Sequence, residues 1–323
     1  MASSIIFMFS GQGSQYYQMG KMYFEEDPVF RHWMLKLDRN VQEMIGDSVI
    51  EQLYDPKKRT SPAFDRMLHT NPAIFMVEYA LSQVLIENGI EPTGVVGASL
   101  GEFVALALAG VMTPEQVLEA LVWQAQQFEA LCEPSRMLTV LHDASLYEQE
   151  PELFADAELV GVNFDAHFVI AGPTERLNEI QQALKGSRIV CHMLPVRYAF
   201  HSALIDPVKP AFLEQMQSFS FAAPNLPFYS SLYGRRIDQF PQDYFWQVAR
   251  QPIRFSEAIL AAERDGGAVY LDCGPSETVA NFTKHYLKPN GQSSVHPVMT
   301  RFYQNKNRIQ ELKALLANLP AIP

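Results

Sequence analysis

The sequence predicts an α/β protein with a mostly parallel sheet, on the basis of three observations. Short apolar runs typical of strands alternate with longer helical patterns along the 323 residues. Two of these runs, Ile5–Phe9 and Val95–Val96, lead directly into glycine-containing turns at Gly11 and Gly97. Between about 135 and 195 the runs become shorter and suggest a βαββαβ order, which predicts a small α+β subdomain inserted into the larger one.

In the larger domain, a helical pattern follows the first strand and runs from Asn71 to Asn88, ending before Gly89. A later helix has a clear start, because Thr113 is a natural N-cap and Gln116 lies where a capping box places Glu or Gln. After the insertion, longer helices return, and residues 268–271 form a further apolar strand. These elements favour alternating strands and helices in the large domain.

The insertion is predicted from its own short runs. In order, these are strands over 137–141, 159–163 and 167–171, a helix over 175–184 and a strand over 189–194. We therefore assign residues 134–195 to the inserted subdomain, and residues 1–133 and 196–323 to the large domain.

Composition restricts the classes of function. The chain has 36 acidic and 25 basic residues, a formal net charge of −11, and such a surface repels phosphate backbones. Nucleic acid is therefore not expected as a partner. The most apolar stretch, Phe103–Met112, is about half the length that crosses a bilayer, so no membrane association is expected. Three cysteines in separate contexts fit reduced thiols of a cytoplasmic protein rather than a disulfide framework or a zinc site.

The strongest local signal for chemistry is Gly97-x-Ser99-x-Gly101, between a predicted strand and an Ala/Leu-rich helix. This is the nucleophile-elbow pattern, in which glycines permit a tight turn that exposes the serine hydroxyl. The N–H groups at the start of the following helix point at the serine and favour a developing anion. The pattern favours Ser99 as a nucleophile, with a purely structural turn as the alternative.

A serine nucleophile needs a base. Among the eight histidines, His201 is distinguished by its place after the apolar run 196–200, where a strand would give way to a loop. Asp206, five residues later, could orient this histidine or could cap a turn before Pro207. The spacing alone leaves the identity of the base open.

The turn at 11–15, Gly-Gln-Gly-Ser-Gln, invites comparison with phosphate-binding loops. It is not a dinucleotide fingerprint, because Tyr16 occupies the third glycine position, and it lacks the lysine of a P-loop. A turn that presents backbone N–H groups beside the serine remains open.

Four motifs in different parts of the chain carry a specific resemblance: GQGSQ at 11–15, GASLGE at 97–102, YAFHS at 198–202 and RQPIRF at 250–255. In this order they resemble the malonyl-CoA:acyl-carrier-protein transacylase family, most closely the free-standing acyltransferase-like proteins of trans-acyltransferase polyketide synthases. The resemblance implies an α/β-hydrolase-like core with an inserted ferredoxin-like subdomain. It suggests no metal and no bound cofactor, since the substrates are phosphopantetheine-linked acyl groups of acyl carrier protein or CoA.

The resemblance also implies roles for individual residues. Ser99 becomes the nucleophile and His201 the base, and the backbone N–H groups of Gln12 and Leu100 form the oxyanion hole. The family orients its histidine through a main-chain carbonyl, which we place on Val248, so that Asp206 is not a triad member. Three further residues are expected to contact the substrate: Gln124, Tyr198 and Phe200.

Two positions depart from the family pattern. Ala98 stands where the family usually has a histidine before the nucleophile. Gln124 stands where malonyl-specific members have the arginine that binds the malonyl carboxylate, counting without gaps from Gly110. Gln124 lies on the apolar stripe of its helix, three residues after Leu121, so it is expected to face inward. Because hydrogen bonds to charged groups contribute about 1.5–3 kcal/mol each, losing a bidentate arginine would weaken malonyl binding by several hundred-fold or more.

The substitution at Gln124 resembles the acyl hydrolase branch of these proteins, which removes stalled acyl chains from carrier proteins. We therefore expect a hydrolase that cleaves uncharged acyl thioesters from acyl carrier protein and edits polyketide biosynthesis. One alternative is a trans-acting transacylase that uses malonyl-CoA or another acyl-CoA, and a second is a non-catalytic docking module for carrier proteins. The expected partners are acyl carrier protein domains of a polyketide synthase, with Arg197, Arg235 and Arg236 as candidate docking residues.

Overall fold

The computed structural model of the protein describes residues 4–58, 63–289, 291–302 and 307–318. The strands in these ranges are β1 (Ile5–Phe9), β2 (Gly94–Gly97), β3 (Ser135–Val140), β4 (Glu158–Phe164), β5 (His167–Pro173), β6 (Cys191–Met193), β7 (Phe228–Ser230), β8 (Arg235–Ile237), β9 (Val269–Asp272) and β10 (Ser294–Pro297). The helices are α1 (Lys21–Glu26), α2 (Pro28–Ile45), α3 (Val49–Leu53), α4 (Met67–Glu87), α5 (Gly101–Leu108), α6 (Pro114–Leu131), α7 (Ser145–Gln149), α8 (Thr174–Gly186), α9 (Lys209–Met216), α10 (Tyr244–Arg250), α11 (Phe255–Arg264), α12 (Thr278–Thr283) and α13 (Arg308–Ala317), and a 3₁₀ helix spans Ala203–Val208.

The larger sheet has six strands in the order β10-β9-β1-β2-β7-β8, parallel except for the last pair. The α/β class and the mostly parallel sheet predicted from the sequence are thereby confirmed. Strand β1 has the predicted bounds, and β2 extends one residue further at each end. Because β1 and β2 are parallel neighbours, with Phe9 opposite Gly97, the turns that follow them lie side by side at one edge of the sheet.

The smaller sheet has four antiparallel strands in the order β4-β5-β3-β6. Its strands and helices α7 and α8 follow the predicted βαββαβ order. Strand β6 begins at Cys191, two residues later than predicted, because the Ile189 N–H donates to the Leu184 carbonyl (2.9 Å) and closes the last turn of α8. The segments entering and leaving this sheet lie side by side, since the Ser135 N–H donates to the Arg197 carbonyl (2.9 Å).

Hydrogen bonds connect strand β4 of the smaller sheet to segments of the larger domain. The Ile253 N–H donates to the Val160 carbonyl of β4 (3.0 Å), and the Tyr286 hydroxyl donates to the Asn163 carbonyl (2.7 Å). The smaller sheet is therefore fixed over the part of the chain that follows α10 and α12, and it forms one wall of the cleft described below.

Two helices bring polar side chains to the sheet edge. Helix α4 begins at Met67, four residues before the predicted start at Asn71. The difference arises at Pro72, because a proline is typical of the first turn of a helix but here lies inside it. Helix α6 has the predicted capping box, with Thr113 accepting from the Gln116 N–H (3.2 Å) and Gln116 accepting from the Thr113 N–H (3.0 Å). Gln124 of α6 is only 3% exposed, which confirms that it faces inward.

None of the helices in the described ranges combines the length and the apolar character that a membrane crossing requires.

Candidate active site

Ser99 lies in a strained turn between β2 and α5, as the elbow pattern predicts. Its φ angle is 54°, in the left-handed region that non-glycine residues rarely occupy. A Cβ atom on Gly97 would lie 2.2 Å from the Glu102 nitrogen, and one on Gly101 would lie 2.2 Å from the Phe9 carbonyl oxygen. Both glycines are therefore required by close backbone contacts.

The Ser99 Oγ lies 2.8 Å from Nε2 of His201, within hydrogen-bonding distance. On the other side of the ring, His201 Nδ1 lies 2.8 Å from the carbonyl oxygen of Gln251. A carbonyl only accepts, so Nδ1 carries the proton and the neutral ring presents Nε2 as an acceptor to the serine hydroxyl. The pair is thus arranged for transfer of the Ser99 proton to His201.

The assignment of the orienting carbonyl to Val248 is wrong in this structure, which places Gln251 there. Val248 lies inside α10, where carbonyls point along the helix axis. Gln251 is the first residue beyond the helix and has extended backbone (ψ 153°), so its carbonyl can turn toward the imidazole. Asp206 does not contact His201; its carboxylate accepts from Arg250 Nε (2.7 Å).

Burial sets the protonation state of His201. The residue is only 2% exposed, and its desolvation lowers the pKa to about 4, with Gln251 opposing and Arg250 assisting the shift. The imidazole is therefore neutral at pH 7 and able to accept a proton.

We expect the activity to persist at acid pH. Because the pKa of His201 is lowered to about 4, the free base remains the major form as the pH falls through 6.5, the usual value for histidine. Below pH 4 the protonated ring cannot accept the serine proton, and kcat/KM should fall about tenfold per pH unit. A pH profile of kcat/KM, measured over the range in which the protein stays folded, checks this; an acid limb centred near 6.5 would contradict it.

The backbone N–H groups of Gln12 and Leu100 lie beside Ser99 and have no acceptor among the described residues. Gln12 lies in the turn after β1, and its side-chain amide donates to Oδ1 of Asn71. A Cβ on Gly11 would lie 2.8 Å from the Ala98 carbonyl oxygen, which shows how closely this turn approaches the elbow. Unpaired N–H groups in this position suit a developing oxyanion.

A small cavity of about 20 Å³ adjoins Ser99. All of the described residues that line it are uncharged: Gln12, Asn71, Ser99, Leu100, Phe103, Gln124, Phe200, Val248 and Ala249. The side-chain amide of Gln124 has no hydrogen-bond partner within the described part of the chain, so it is free to contact a group that enters the cavity. Gln124 and Phe200 were predicted from the sequence to contact substrate, whereas Asn71 was not, because the helical pattern gives no separate signal for it.

A larger cavity, of about 340 Å³, is lined by both Ser99 and His201. Its walls come from the turn after β1, from strands β3, β4 and β5 of the smaller sheet, and from α12. Ala98, the unusual residue before the serine, is also part of the wall. The lining exposes mostly apolar surface together with amide, hydroxyl and imidazole groups, the last from His167 and His201, as is usual in sites that bind small molecules.

Of the two aromatic residues predicted to contact substrate, only Phe200 lines these cavities. Tyr198 is 6% exposed, and its ring packs against Phe128 and Phe200, with centroids 5.9 and 6.4 Å away. Tyr198 therefore supports Phe200 from behind and does not line either cavity.

Among the arginines predicted for docking, Arg197 forms an ion pair with Asp65 (2.8 Å).

The remaining ionisable groups bear on two questions, whether a metal could be held and which charge lies near Ser99. Within the described residues, no three His, Cys, Asp or Glu side chains are grouped so that they could hold a metal ion. Glu102, in the first turn of α5, is fully buried; burial raises its pKa to about 7, and hydrogen bonds from Tyr244 and Ser231 oppose the rise. Glu102 belongs to the GASLGE motif at 97–102, but the sequence predicts no role for it.

Comparison with known proteins yields a consistent set of matches. The family described as "Acyl transferase domain" matches residues 6–319. The chain is 41% identical over 313 residues to "Polyketide biosynthesis acyltransferase homolog PksD" of Bacillus subtilis, covering 97% of each chain. It is 39% identical over 320 residues to "Polyketide biosynthesis acyltransferase homolog BaeD" of Bacillus velezensis, covering 99% of each.

Solved structures share the fold. The malonyl CoA-acyl carrier protein transacylase of Coxiella burnetii superimposes with a TM-score of 0.80 at 20% identity, over 99% of this chain and 98% of that one.

Proposed function

The chain belongs to the acyl transferase domain family, and we propose that within this family it hydrolyses uncharged acyl thioesters of acyl carrier protein. Its relatives are named as acyltransferase homologs of polyketide biosynthesis, which supports a carrier protein of a polyketide synthase as partner. The proposed place of action is the cytoplasm. The proposal includes an α/β-hydrolase-like core with a ferredoxin-like insertion at 134–195, supported by the order of the four-stranded sheet.

The uncharged lining of the small cavity beside Ser99 carries this proposal. A malonyl group would place a carboxylate among neutral amides and apolar side chains, away from water and with no cation in the lining. Burying an unpaired carboxylate is costly, whereas a methyl or short alkyl group gains from burial in the same place. The cavity therefore favours uncharged acyl groups.

The first half of the reaction forms an acyl-enzyme. His201 Nε2 takes the hydroxyl proton as Ser99 Oγ attacks the thioester carbonyl carbon, and the carbonyl oxygen becomes an oxyanion facing the N–H groups of Gln12 and Leu100. The C–S bond then breaks, and His201 gives its proton to the departing pantetheine sulfur. Gln251 holds the ring in orientation throughout by accepting from Nδ1.

The second half consumes water. Once the thiol has left, the larger cavity gives access to the ester on the side where His201 lies. His201 removes a proton from a water molecule, the resulting hydroxide adds to the ester carbonyl, and the proton returns to Ser99 Oγ as the acid is released. No bound cofactor takes part in either half.

A transacylase is the second candidate, favoured by the names of the relatives. It would form the same acyl-enzyme and differ only in the acceptor, a second carrier-protein thiol instead of water. A non-catalytic docking module is less consistent with the Ser99–His201 contact at 2.8 Å.

Mass spectrometry of intact carrier protein separates these functions. Carrier protein loaded with acetyl, butyryl or malonyl groups is incubated with the protein and with its Ser99→Ala variant. We expect conversion of the acetyl and butyryl forms to free thiol, with the malonyl form unchanged and the variant inactive. Transfer of malonyl from CoA to empty carrier protein at a comparable rate would overturn the hydrolase proposal.

A further inference from the structure

Glu102 takes no part in the reaction steps above, but it contacts both the Ser99 turn and helix α10, which leads to the carbonyl that orients His201. It lies three residues after Ser99, in the first turn of α5, and its N–H donates to the Ser99 carbonyl (3.0 Å). Its side chain is fully buried, and no lysine, arginine or histidine in the described ranges pairs with it. Burying a carboxyl group in this way costs stability unless hydrogen bonds compensate.

One carboxyl oxygen of Glu102 accepts several hydrogen bonds from the end of β7 and the turn that follows it. Oε1 accepts from the N–H and hydroxyl of Ser231 (hydroxyl at 2.9 Å), from the Leu232 N–H (3.2 Å) and from the Ser230 hydroxyl (3.2 Å). The Ser231 carbonyl in turn accepts from the Arg254 N–H (2.6 Å). This turn is therefore hydrogen-bonded both to Glu102 of α5 and to Arg254, just after Gln251.

The other carboxyl oxygen reaches α10. Oε2 accepts from the hydroxyl of Tyr244 (2.6 Å), in the first turn of that helix. The opposite end of α10 holds His201 twice, because the Ala249 carbonyl accepts from the His201 N–H (2.8 Å) and the Gln251 carbonyl contacts Nδ1 (2.8 Å). Glu102 thus connects helix α5, directly after the turn that carries Ser99, with helix α10, whose C-terminal end orients His201.

We propose that Glu102, through its hydrogen bond from Tyr244, is a positioning residue that holds helix α5, which follows the Ser99 turn, in register with residues 249–251, which orient His201. The inference rests on the proposed Ser99–His201 chemistry. The hydrogen bonds, and not the charge, carry this role, because the Tyr244 hydroxyl also lies 2.9 Å from the Ser230 hydroxyl and can reverse its direction if Oε2 bears a hydrogen.

The test measures covalent labelling of Ser99 by a fluorophosphonate, in which Ser99 Oγ bonds to phosphorus, fluoride leaves and the hydroxyl proton passes to His201. Labelling needs no acyl substrate, so it does not depend on whether water or a thiol is the natural acceptor. Three quantities are recorded for each variant: the labelled fraction at completion, the rate constant at saturating probe, and the probe concentration at half-saturation. A loss of folded protein lowers the first, and a displaced base lowers the second.

We expect Tyr244→Phe, which removes only the hydroxyl, to lower the saturating rate about tenfold or more with unchanged half-saturation, because small displacements at a reacting pair are costly. Glu102→Ala should be at least as slow, and Glu102→Gln, which can keep both contacts, should stay within about threefold of the wild type. Tyr270→Phe is the matched control, since Tyr270 is also buried and donates to a glutamate, Glu263 (2.7 Å), away from both cavities. It should label at the wild-type rate.

A wild-type rate in Tyr244→Phe at full labelling would overturn the inference, as would a fall in the labelled fraction alone. Glu102→Gln as slow as Glu102→Ala would contradict the hydrogen bonds as the carrier of the effect. Absence of Ser99 labelling in the wild type would instead overturn the proposed function, and the inference with it.

Discussion

Replacing Ser99 by alanine is expected to lower thioester cleavage at least about 10⁴-fold, with no acyl-enzyme formed. His201→Ala should cost a similar factor, and the double variant little more than either single one, because the two side chains act as one unit at 2.8 Å. The residual activity would come from the N–H groups of Gln12 and Leu100 and from binding. Release of free carrier-protein thiol, followed by mass spectrometry, measures all three variants.

Ser218→Ala serves as the control, since Ser218 is exposed and its hydroxyl donates only to the nearby Gln215 carbonyl (2.7 Å). It should retain full activity. Turnover by Ser99→Ala at more than a few per cent of the wild-type rate would mean that another group is the nucleophile.

Introducing arginine at Gln124 is expected to raise malonyl processing relative to acetyl processing about 100-fold or more. The guanidinium would supply the paired, charge-assisted hydrogen bonds that the neutral cavity lacks, each contributing about 1.5–3 kcal/mol. The same change should lower the melting temperature of the unliganded protein, because a larger, charged side chain must fit a cavity of about 20 Å³. The measurement is the ratio of acyl-enzyme formation rates from malonyl and acetyl thioesters.

Gln126→Arg is the matched control for net charge, because Gln126 lies on the same helix but is exposed to solvent. It should leave the malonyl-to-acetyl ratio unchanged. If Gln124→Arg also leaves the ratio unchanged, then the residue at this position does not select the acyl group. The uncharged cavity would then no longer support the proposed function.

Local signals in the sequence were sufficient for the parts of the structure that depend on short segments. The strand at Ile5–Phe9 and the capping box of α6 follow from residues only a few positions apart. The elbow at Ser99 is also local, since its two glycines are required by contacts within one strand-turn-helix unit and with the neighbouring strand. The inward position of Gln124 follows from the helical period alone.

What could not be predicted depends on where distant segments meet. The carbonyl that orients His201 belongs to Gln251 and not to Val248, because the helix ends between them and the backbone changes direction there. No periodic pattern specifies that change to within three residues. Similarly, Asn71 reaches the site only because α4 packs beside the turn that contains Gln12, 59 residues earlier. Both are properties of tertiary contacts.

The hydrogen bond from Ser135 to Arg197 has a consequence for how such proteins can diverge. About sixty residues separate these two positions, yet the chain departs and returns at one paired point, so the length of the excursion adds little to the entropy of closing it. The excursion supplies one wall of the larger cavity, whereas the serine, the histidine and its orienting carbonyl all lie outside it. That wall can therefore change its shape, and with it the ligand that the cavity accepts, while Ser99, His201 and the Gln251 carbonyl keep their geometry.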